Sequence, residues 1–252
     1  MICLTFDTDH MTEESMERFL EEHPLPGSCT FFVHRPFSLV KRLQGAGVHE
    51  VGPHPFVEHL PRWDDDEAAI TECFAERPLG LRTHSCVFSH MIGIAMHDKG
   101  YRYVSQAHNI FQEGLRPFRH PWGIWELPIY YMDNMDFWFP KNWPALGHAP
   151  FGREVIARAV GSPSLHVFDF HPLHIALNTK SHEDYGKVKD KILGGGASPF
   201  DLRGPGRGTA EFFAELCSAM REAGERSHSC LEALEHYGAA EAAGARAGDG
   251  GK

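Results

Sequence analysis

Short apolar runs alternate with amphipathic segments along most of the chain, and this alternation predicts an α/β fold with a parallel sheet. The apolar runs that we predict as strands cover residues 2–6, 29–33, 48–52, 79–82, 101–104, 125–131 and 165–170. Segments between them have helical periodicity, as in 64–75 and 209–223. The count is about seven strand–helix units, fewer than a regular barrel has. We therefore predict a distorted, incomplete (β/α) barrel with about seven strands.

The chain has 252 residues, a length that α/β barrels often reach as one domain. We predict a single barrel domain over residues 1–238. The segment 239–252 is rich in glycine and alanine and has no apolar pattern, so we predict a disordered tail there. The segment 117–150 is dense in Trp, Phe, Tyr and Pro, and we interpret it as a long structured loop system.

Charge and composition narrow the classes of partner. With 34 acidic and 24 basic residues the formal net charge is −10, which disfavours a nucleic-acid backbone or an anionic membrane as partner. No apolar run approaches the roughly 20 residues that cross a bilayer, and the start MICLTFDTDH lacks the basic region of a signal peptide. The six cysteines are scattered without a CxxC pair, as in a reducing compartment. We expect a cytoplasmic protein with reduced cysteines.

Chemically versatile side chains stand at the ends of the predicted strands or just after them. They are Asp7, Asp9, His34, His54, Arg82, His84, Asp133, Asp136, His171 and His174. In a parallel barrel the C-terminal ends of all strands open onto one face, and that face carries active sites. Residues scattered over a surface would not all fall there, so the sequence predicts one active site on this face.

Two carboxylates flank a single residue in the segment Asp7-Thr8-Asp9. If the backbone stays extended, both carboxylates point to the same side, and they repel each other unless a cation lies between them. A metal ion on one and an arginine near the other would meet this need and leave one carboxylate free as a base. The alternative is that Asp9 caps the following helix, a position for which Thr12 competes.

A second group of candidate ligands follows the third predicted strand. His54 and His59 can converge on one ion if their Gly- and Pro-rich loop bulges, and Glu58 is the rival third ligand. One Asp and two His leave coordination positions open for water and substrate, as catalytic sites do. This ligand set suits zinc, cobalt, nickel or iron. We expect one divalent metal ion, and these residues alone leave the four metals open.

The last predicted strand is followed by His171, whose imidazole can protonate a leaving amine near neutral pH. A hydrogen-bonded structural histidine is the alternative, and it fits His174 better. Trp125 and Trp138 offer flat apolar faces for sugar rings. Aromatic clusters serve more often in packing, so both interpretations stay open for these two side chains.

Six segments, in this order, resemble the polysaccharide deacetylase family, the NodB-homology or carbohydrate esterase family 4 proteins. They read LTFDTDH, EVGPHPFVEH, LRTHS, GYRYVSQ, WELPIYYMD and FDFHPLHI. The resemblance runs from about residue 2 to residue 235. It implies a distorted barrel that hydrolyses N-acetyl groups with a zinc-like ion, and on this ground we place zinc first among the candidate metals.

The resemblance also implies roles for individual residues in the first three motifs. Asp7 corresponds to the base that activates water, and Asp9 corresponds to a metal ligand. His54 and His59 would complete the metal site. Arg82 would steady the base.

In the later motifs His171 corresponds to the general acid. Asp133 corresponds to the residue that orients this acid, although Asp136 is close enough in sequence to compete. These roles imply a metal-dependent hydrolase that removes an N-acetyl or other N-acyl group from an amino sugar or a sugar-containing metabolite.

The chain departs from the family pattern at two points. Family members commonly space the metal histidines four residues apart, whereas Glu58 stands four residues after His54. The arginine motif reads Arg-Thr-His-Ser rather than Arg-x-Pro-aromatic, which brings His84 into the site as a substrate contact. The sequence therefore predicts a divergent subgroup. A deformylase acting on a nucleotide- or lipid-linked sugar and a catalytically silent sugar-binding protein are the alternative functions.

Overall fold

The computed structural model describes residues 1–57, 63–138 and 147–249, with side chains described as far as residue 239. Ten strands lie within these ranges: β1 (Ile2–Asp7), β2 (Thr30–Val33), β3 (Glu50–Pro53), β4 (Gly80–Leu81), β5 (Tyr103–Val104), β6 (Phe118–Arg119), β7 (Trp125–Glu126), β8 (Ile129–Met132), β9 (His166–Phe170) and β10 (Ser227–His228). The helices in the same ranges are α1 (Glu13–Glu22), α2 (Ser38–Ala46), α3 (Trp63–Thr71), α4 (His90–Asp98), α5 (Asp133–Trp138), α6 (Arg153–Ala159), α7 (Pro172–Leu177), α8 (His182–Leu193), α9 (Thr209–Glu222) and α10 (Cys230–Asp249).

The strands form two sheets that together make a distorted barrel. One sheet has the order β3-β2-β1-β9-β8, with β10 beside the start of β1, and the other has the order β4-β5-β7-β6. Every described pairing is parallel except that of β6 with β7. Backbone hydrogen bonds bridge the sheets: among them, Arg82 N–H donates to the Pro53 carbonyl at 3.3 Å, and Ile129 N–H donates to the Ala107 carbonyl at 2.8 Å. The predicted barrel is thus confirmed, and its wall consists of β1 to β5, β8 and β9.

The prediction of one strand over 125–131 is wrong, because this segment contains two strands, β7 and β8, which lie in different sheets. Pro128 lies between the two and has no N–H to donate to a ladder, which explains the interruption. The segment 117–150 therefore holds β6, β7, β8 and α5 among its described residues, more regular structure than a loop system.

The first and last helices of the described chain are α1 and α10. The Thr12 hydroxyl accepts a hydrogen bond from Ser15 N–H at 3.1 Å and caps α1, so Asp9 is not the cap. Helix α10 continues to Asp249, through much of the segment 239–252 for which we predict a disordered tail. Alanine is the strongest helix former, so this alanine-rich segment can extend the helix without an apolar face.

Phenylalanine rings fill the centre of the main core. Phe6 on β1 is fully buried and contacts Phe31 on β2, Phe170 on β9 and Phe213 on α9, with ring centroids 5.0, 6.4 and 5.9 Å away. This packing fixes the spacing of β1, β2 and β9, whose C-terminal ends carry candidate site residues. Across the described part of the chain, no helix has the length and apolar character needed to span a bilayer.

We expect Phe6→Ala to lower the free energy of unfolding by about 3–5 kcal/mol, because it removes a fully buried ring and leaves a cavity. Chemical denaturation measures this difference. Phe118→Ala is the control, since the Phe118 ring on β6 is 43% exposed. Equal losses in the two variants would contradict the placement of Phe6 at the centre of the core.

Candidate active site

A cavity of about 570 Å³ opens at the C-terminal ends of the barrel strands. Its lining includes six residues predicted from the sequence: Asp7, Asp9, His54, His84, Trp138 and His171. Strand β1 ends at Asp7, and strands β3 and β9 end directly before His54 and His171. Strand β8 ends directly before Asp133, the partner of His171. Parallel strands thus bring residues that are distant in sequence to one place, as the sequence predicts.

A buried ion network lies beneath the cavity, centred on the fully buried Arg82 guanidinium. Arg82 Nη1 donates to Asp7 Oδ1 at 3.0 Å and also to Asp169 Oδ1. Its Nε and Nη2 donate to the backbone carbonyl and the hydroxyl of Ser105 at 2.7 and 2.8 Å. Burial alone would lower the pKa of Arg82, but the Asp169 and Asp7 carboxylates raise it well above its usual value. The guanidinium therefore stays charged and holds Asp7 in one orientation.

Asp169 is a site residue that the sequence argument missed. Its carboxyl is fully buried inside β9, and burial raises its pKa while Arg82 acts in the opposite direction. The sequence does contain a signal for it, since Asp169 stands within an otherwise apolar strand. A charge that is buried there requires a partner of opposite charge.

The metal-ligand candidates Asp9 and His54 face each other, with His54 Nε2 3.4 Å from Asp9 Oδ2 and 3.6 Å from Asp7 Oδ2. His54 Nδ1 lies 3.0 Å from the Arg82 carbonyl oxygen, to which it can donate. That hydrogen bond directs the other ring nitrogen toward the carboxylates, the usual support for a metal-binding imidazole.

The charge balance of the site also fits a cation. Asp7, Asp9, Asp133 and Asp169 are all buried, and within the described ranges the guanidinium of Arg82 is the permanent positive charge among them. Burial alone would lower the pKa of His54, but the Asp7 and Asp9 carboxylates raise it. A divalent ion would relieve this excess of negative charge.

The third predicted ligand cannot be compared with these positions, because Glu58 and His59 both lie outside the described residues. Among the residues that are described, no group of three or more His, Cys, Asp and Glu side chains could hold a metal ion. The assignment of Asp9 and His54 as metal ligands therefore stays a prediction, as does the choice between His59 and Glu58.

His171 is held by Asp133 through two hydrogen bonds. Its Nδ1 lies 2.8 Å from Asp133 Oδ1, and its backbone N–H donates to Asp133 Oδ2 at 2.8 Å. His171 Nε2 faces the cavity and lies 3.6 Å from Asp9 Oδ2. Burial alone would lower the pKa of His171, but the Asp133 carboxylate raises it to about 10.

The rival carboxylate Asp136 has other partners on the far side of α5. It accepts hydrogen bonds from the Tyr131 hydroxyl and the Phe151 N–H at 2.7 and 2.8 Å, and it pairs with His148. Of the two aspartates, Asp133 is thus the one that contacts the predicted acid. His174 Nδ1 lies 3.0 Å from the hydroxyl of Thr179, in agreement with a structural role.

The predicted substrate contacts divide into two groups. His84 and Trp138 line the cavity, with His84 Nε2 3.9 Å from Asp9 Oδ1 and the Trp138 ring 44% exposed. Trp125 lies in β7 beneath the Arg119 guanidinium and is not among the residues that line the cavity. The aromatic composition could not separate these two tryptophans, because their sheet and helix decide which way each ring faces.

Comparison with protein families agrees with the resemblance in the motifs. The model of the WbmS-like polysaccharide deacetylase family matches residues 4–189, so the chain belongs to this family. The predicted membership of a divergent NodB-homology subgroup is thereby confirmed. Comparison with curated proteins gave no match.

Solved structures with a similar fold include two bacterial proteins described as candidate polysaccharide deacetylases. The protein from Bordetella bronchiseptica, described as involved in O-antigen biosynthesis, is 19% identical, with a TM-score of 0.66 over 86% of this chain and 89% of that chain. The protein from Mycobacterium smegmatis is 18% identical, with a TM-score of 0.54 over 95% and 90%. A 4-alpha-glucanotransferase from Thermococcus litoralis is 13% identical, with a TM-score of 0.53 over 93% of this chain and 38% of that chain. At these identities the similarity shows the fold.

We expect Arg82→Met to lower the free energy of unfolding by about 3–5 kcal/mol, because the variant leaves the Asp7 and Asp169 carboxylates buried without their cation. Denaturant titration measures the loss. The control is Arg18→Met, which breaks an exposed ion pair with Glu22 on α1 and should change stability little. A stable Arg82→Met variant with ionised carboxylates would contradict the network described above.

Proposed function

We propose that this protein is a metal-dependent hydrolase that removes an N-acetyl or other N-acyl group from an amino sugar. One arrangement above all supports the proposal. Asp7 and His171 face the same cavity beside the Asp9–His54 pair, and each is held by its own buried partner, Arg82 or Asp133. A proton acceptor and a proton donor around a candidate metal position are what amide hydrolysis requires.

Asp9 and His54 would hold the ion, together with His59 or Glu58. When bound, a divalent cation supplies Lewis-acid chemistry, which polarises a carbonyl group and makes water a better nucleophile near neutral pH. The Arg82 carbonyl fixes the ring orientation of His54 for this purpose. Zinc stays our first candidate for the ion, because an Asp and His ligand set is typical of it.

Asp7 acts as the base in the proposed reaction. Its Oδ1 is occupied by Arg82, so Oδ2 is left to accept the proton of the attacking water. The new bond joins the water oxygen to the acyl carbon, and the carbon–nitrogen bond then breaks. Arg82 keeps the carboxylate in one orientation throughout, which lowers the reorganisation that the reaction requires.

His171 acts as the acid that protonates the departing amine nitrogen. Its Nδ1 is engaged by Asp133, so the proton for transfer is carried on Nε2, the ring nitrogen directed toward the cavity. The products are the free carboxylic acid and the amino sugar. Asp133 fixes the ring and stabilises its protonated form, as carboxylates do beside catalytic histidines.

The family and the cavity support a sugar substrate. A volume of about 570 Å³ lies within the range of ordinary small-molecule sites, and Trp138 offers an exposed aromatic face for a sugar ring. The B. bronchiseptica protein is described as involved in O-antigen biosynthesis. We therefore place the substrate among the acylamino sugars from which surface polysaccharides are built.

We expect Asp7→Asn to keep the bound metal but to lose about 10²- to 10⁴-fold in turnover, because the amide cannot take up the proton of water. Metal analysis and an assay of acid release from a panel of N-acyl sugars measure the two properties. Asp136→Asn is the matched control, since it alters an equally buried carboxylate on α5 with no place in the cavity. Full turnover in Asp7→Asn would eliminate this residue as the base. Bound metal with no acid released by the unaltered protein would favour a silent sugar-binding protein.

We expect chelation to abolish acid release and to lower the stability of the protein. A ligand that binds only the folded state adds about 2.7 kcal/mol to the unfolding free energy at roughly 100 times its Kd. Thermal melts with and without added zinc measure this gain. Asp9→Asn should show a much smaller gain, because it removes a proposed ligand. If both proteins gained stability equally, the ion would bind elsewhere.

A further inference from the structure

The cavity wall that α8 forms carries a positive charge that the proposed mechanism does not use. Lys189 is half-buried and lines the cavity. Its ammonium group lies 5.8 Å from the ring centroid of Tyr185, one helical turn earlier, which is buried and also lines the cavity. The aromatic ring thus supports the ammonium group on the cavity side of the helix.

Lys189 differs in its partners from the neighbouring Lys187. The exposed Lys187 forms ion pairs with Glu183 and Asp184 at 3.0 and 3.1 Å within α8 itself. For Lys189, no carboxylate of residues 1–57, 63–138 or 147–239 lies within ion-pairing distance. Its charge is therefore available to a ligand in the cavity, whereas that of Lys187 is already paired.

Side chains of both charges line the cavity. The buried carboxylates of Asp7 and Asp9 also line the cavity, where the proposed metal ion and the acylamino group of the substrate would lie. Lys189 is the one Lys or Arg among the described lining residues, so it gives the α8 wall the opposite sign.

We propose that Lys189 recognises a negatively charged substituent of the substrate, so that the site selects acylamino sugars that carry a phosphate or a carboxylate. The inference rests on the proposed function, because it concerns the substrate of the same cavity. With the acylamino group near Asp9, the volume of about 570 Å³ leaves room for the rest of the sugar and its substituent. A lysine ammonium group binds either anion as a compact charge with three donors.

Calorimetric binding and initial rates of acid release test this selection. The probes are N-acetylglucosamine, its 1-phosphate and the corresponding uronic acid, with the same three compounds in the galacto configuration. We expect the unaltered protein to prefer one anionic form, and Lys189→Met to weaken that form about tenfold, as the loss of a charged hydrogen bond does. The neutral sugar should bind Lys189→Met and the unaltered protein alike. Lys187→Met should behave as the unaltered protein with every probe.

The outcomes separate the two proposals. Equal binding of neutral and anionic sugars, or an anionic preference that survives in Lys189→Met, would overturn the role of Lys189. A uniform loss for all sugars in Lys189→Met would also overturn it, since that result indicates a structural residue. Acid release from neutral sugars alone would leave the proposed hydrolase standing without this selection. Lys189-dependent binding of an anionic sugar without acid release would support the recognition and contradict the hydrolase.

Discussion

The burial of the Arg82 guanidinium is the constraint on which the rest of the structure depends. A permanent charge with no exposure is tolerated only when ionised and hydrogen-bonding partners surround it. Those partners come from β1, from β9 and from the loop after β5, through Asp7, Asp169 and Ser105. One side chain therefore ties together three segments that are distant in sequence. The same contacts orient the carboxylate that we propose as the base.

The two histidines of the candidate site are likewise held by fixed hydrogen-bond partners. His54 is fixed by the backbone carbonyl of Arg82, and His171 is fixed twice by Asp133. Groups held in this way need little reorganisation during a reaction, which is the main advantage of a preformed polar site. The same arrangement concentrates buried negative charge in a small volume. A divalent ion would therefore contribute to stability as well as to chemistry.

Family membership explains the candidate site residues on the barrel strands more fully than the residues on the other walls of the cavity. The motifs that resemble polysaccharide deacetylases supply the residues on the barrel strands. Trp138 on α5 and Lys189 on α8 belong to elements outside the strands, and the resemblance assigned no role to the lysine. In our proposals, chemistry and substrate choice thus depend on different elements of the fold. The strands position the proposed acid and base, and α5 and α8 supply the proposed substrate contacts Trp138 and Lys189.

The sequence by itself determined the barrel, most of its strands and the face that carries the site, because apolar periodicity and the position after a strand are local properties. It also indicated Asp7, Asp9, His54 and His171, which stand where such strands end. Only the tertiary structure brought Asp133 rather than Asp136 to His171, paired Asp169 with Arg82, kept Trp125 away from the cavity and turned Lys189 toward it. These outcomes depend on strand register and helix packing, which set distances between residues far apart in the chain. Periodicity gives a side chain's direction only relative to its own strand or helix.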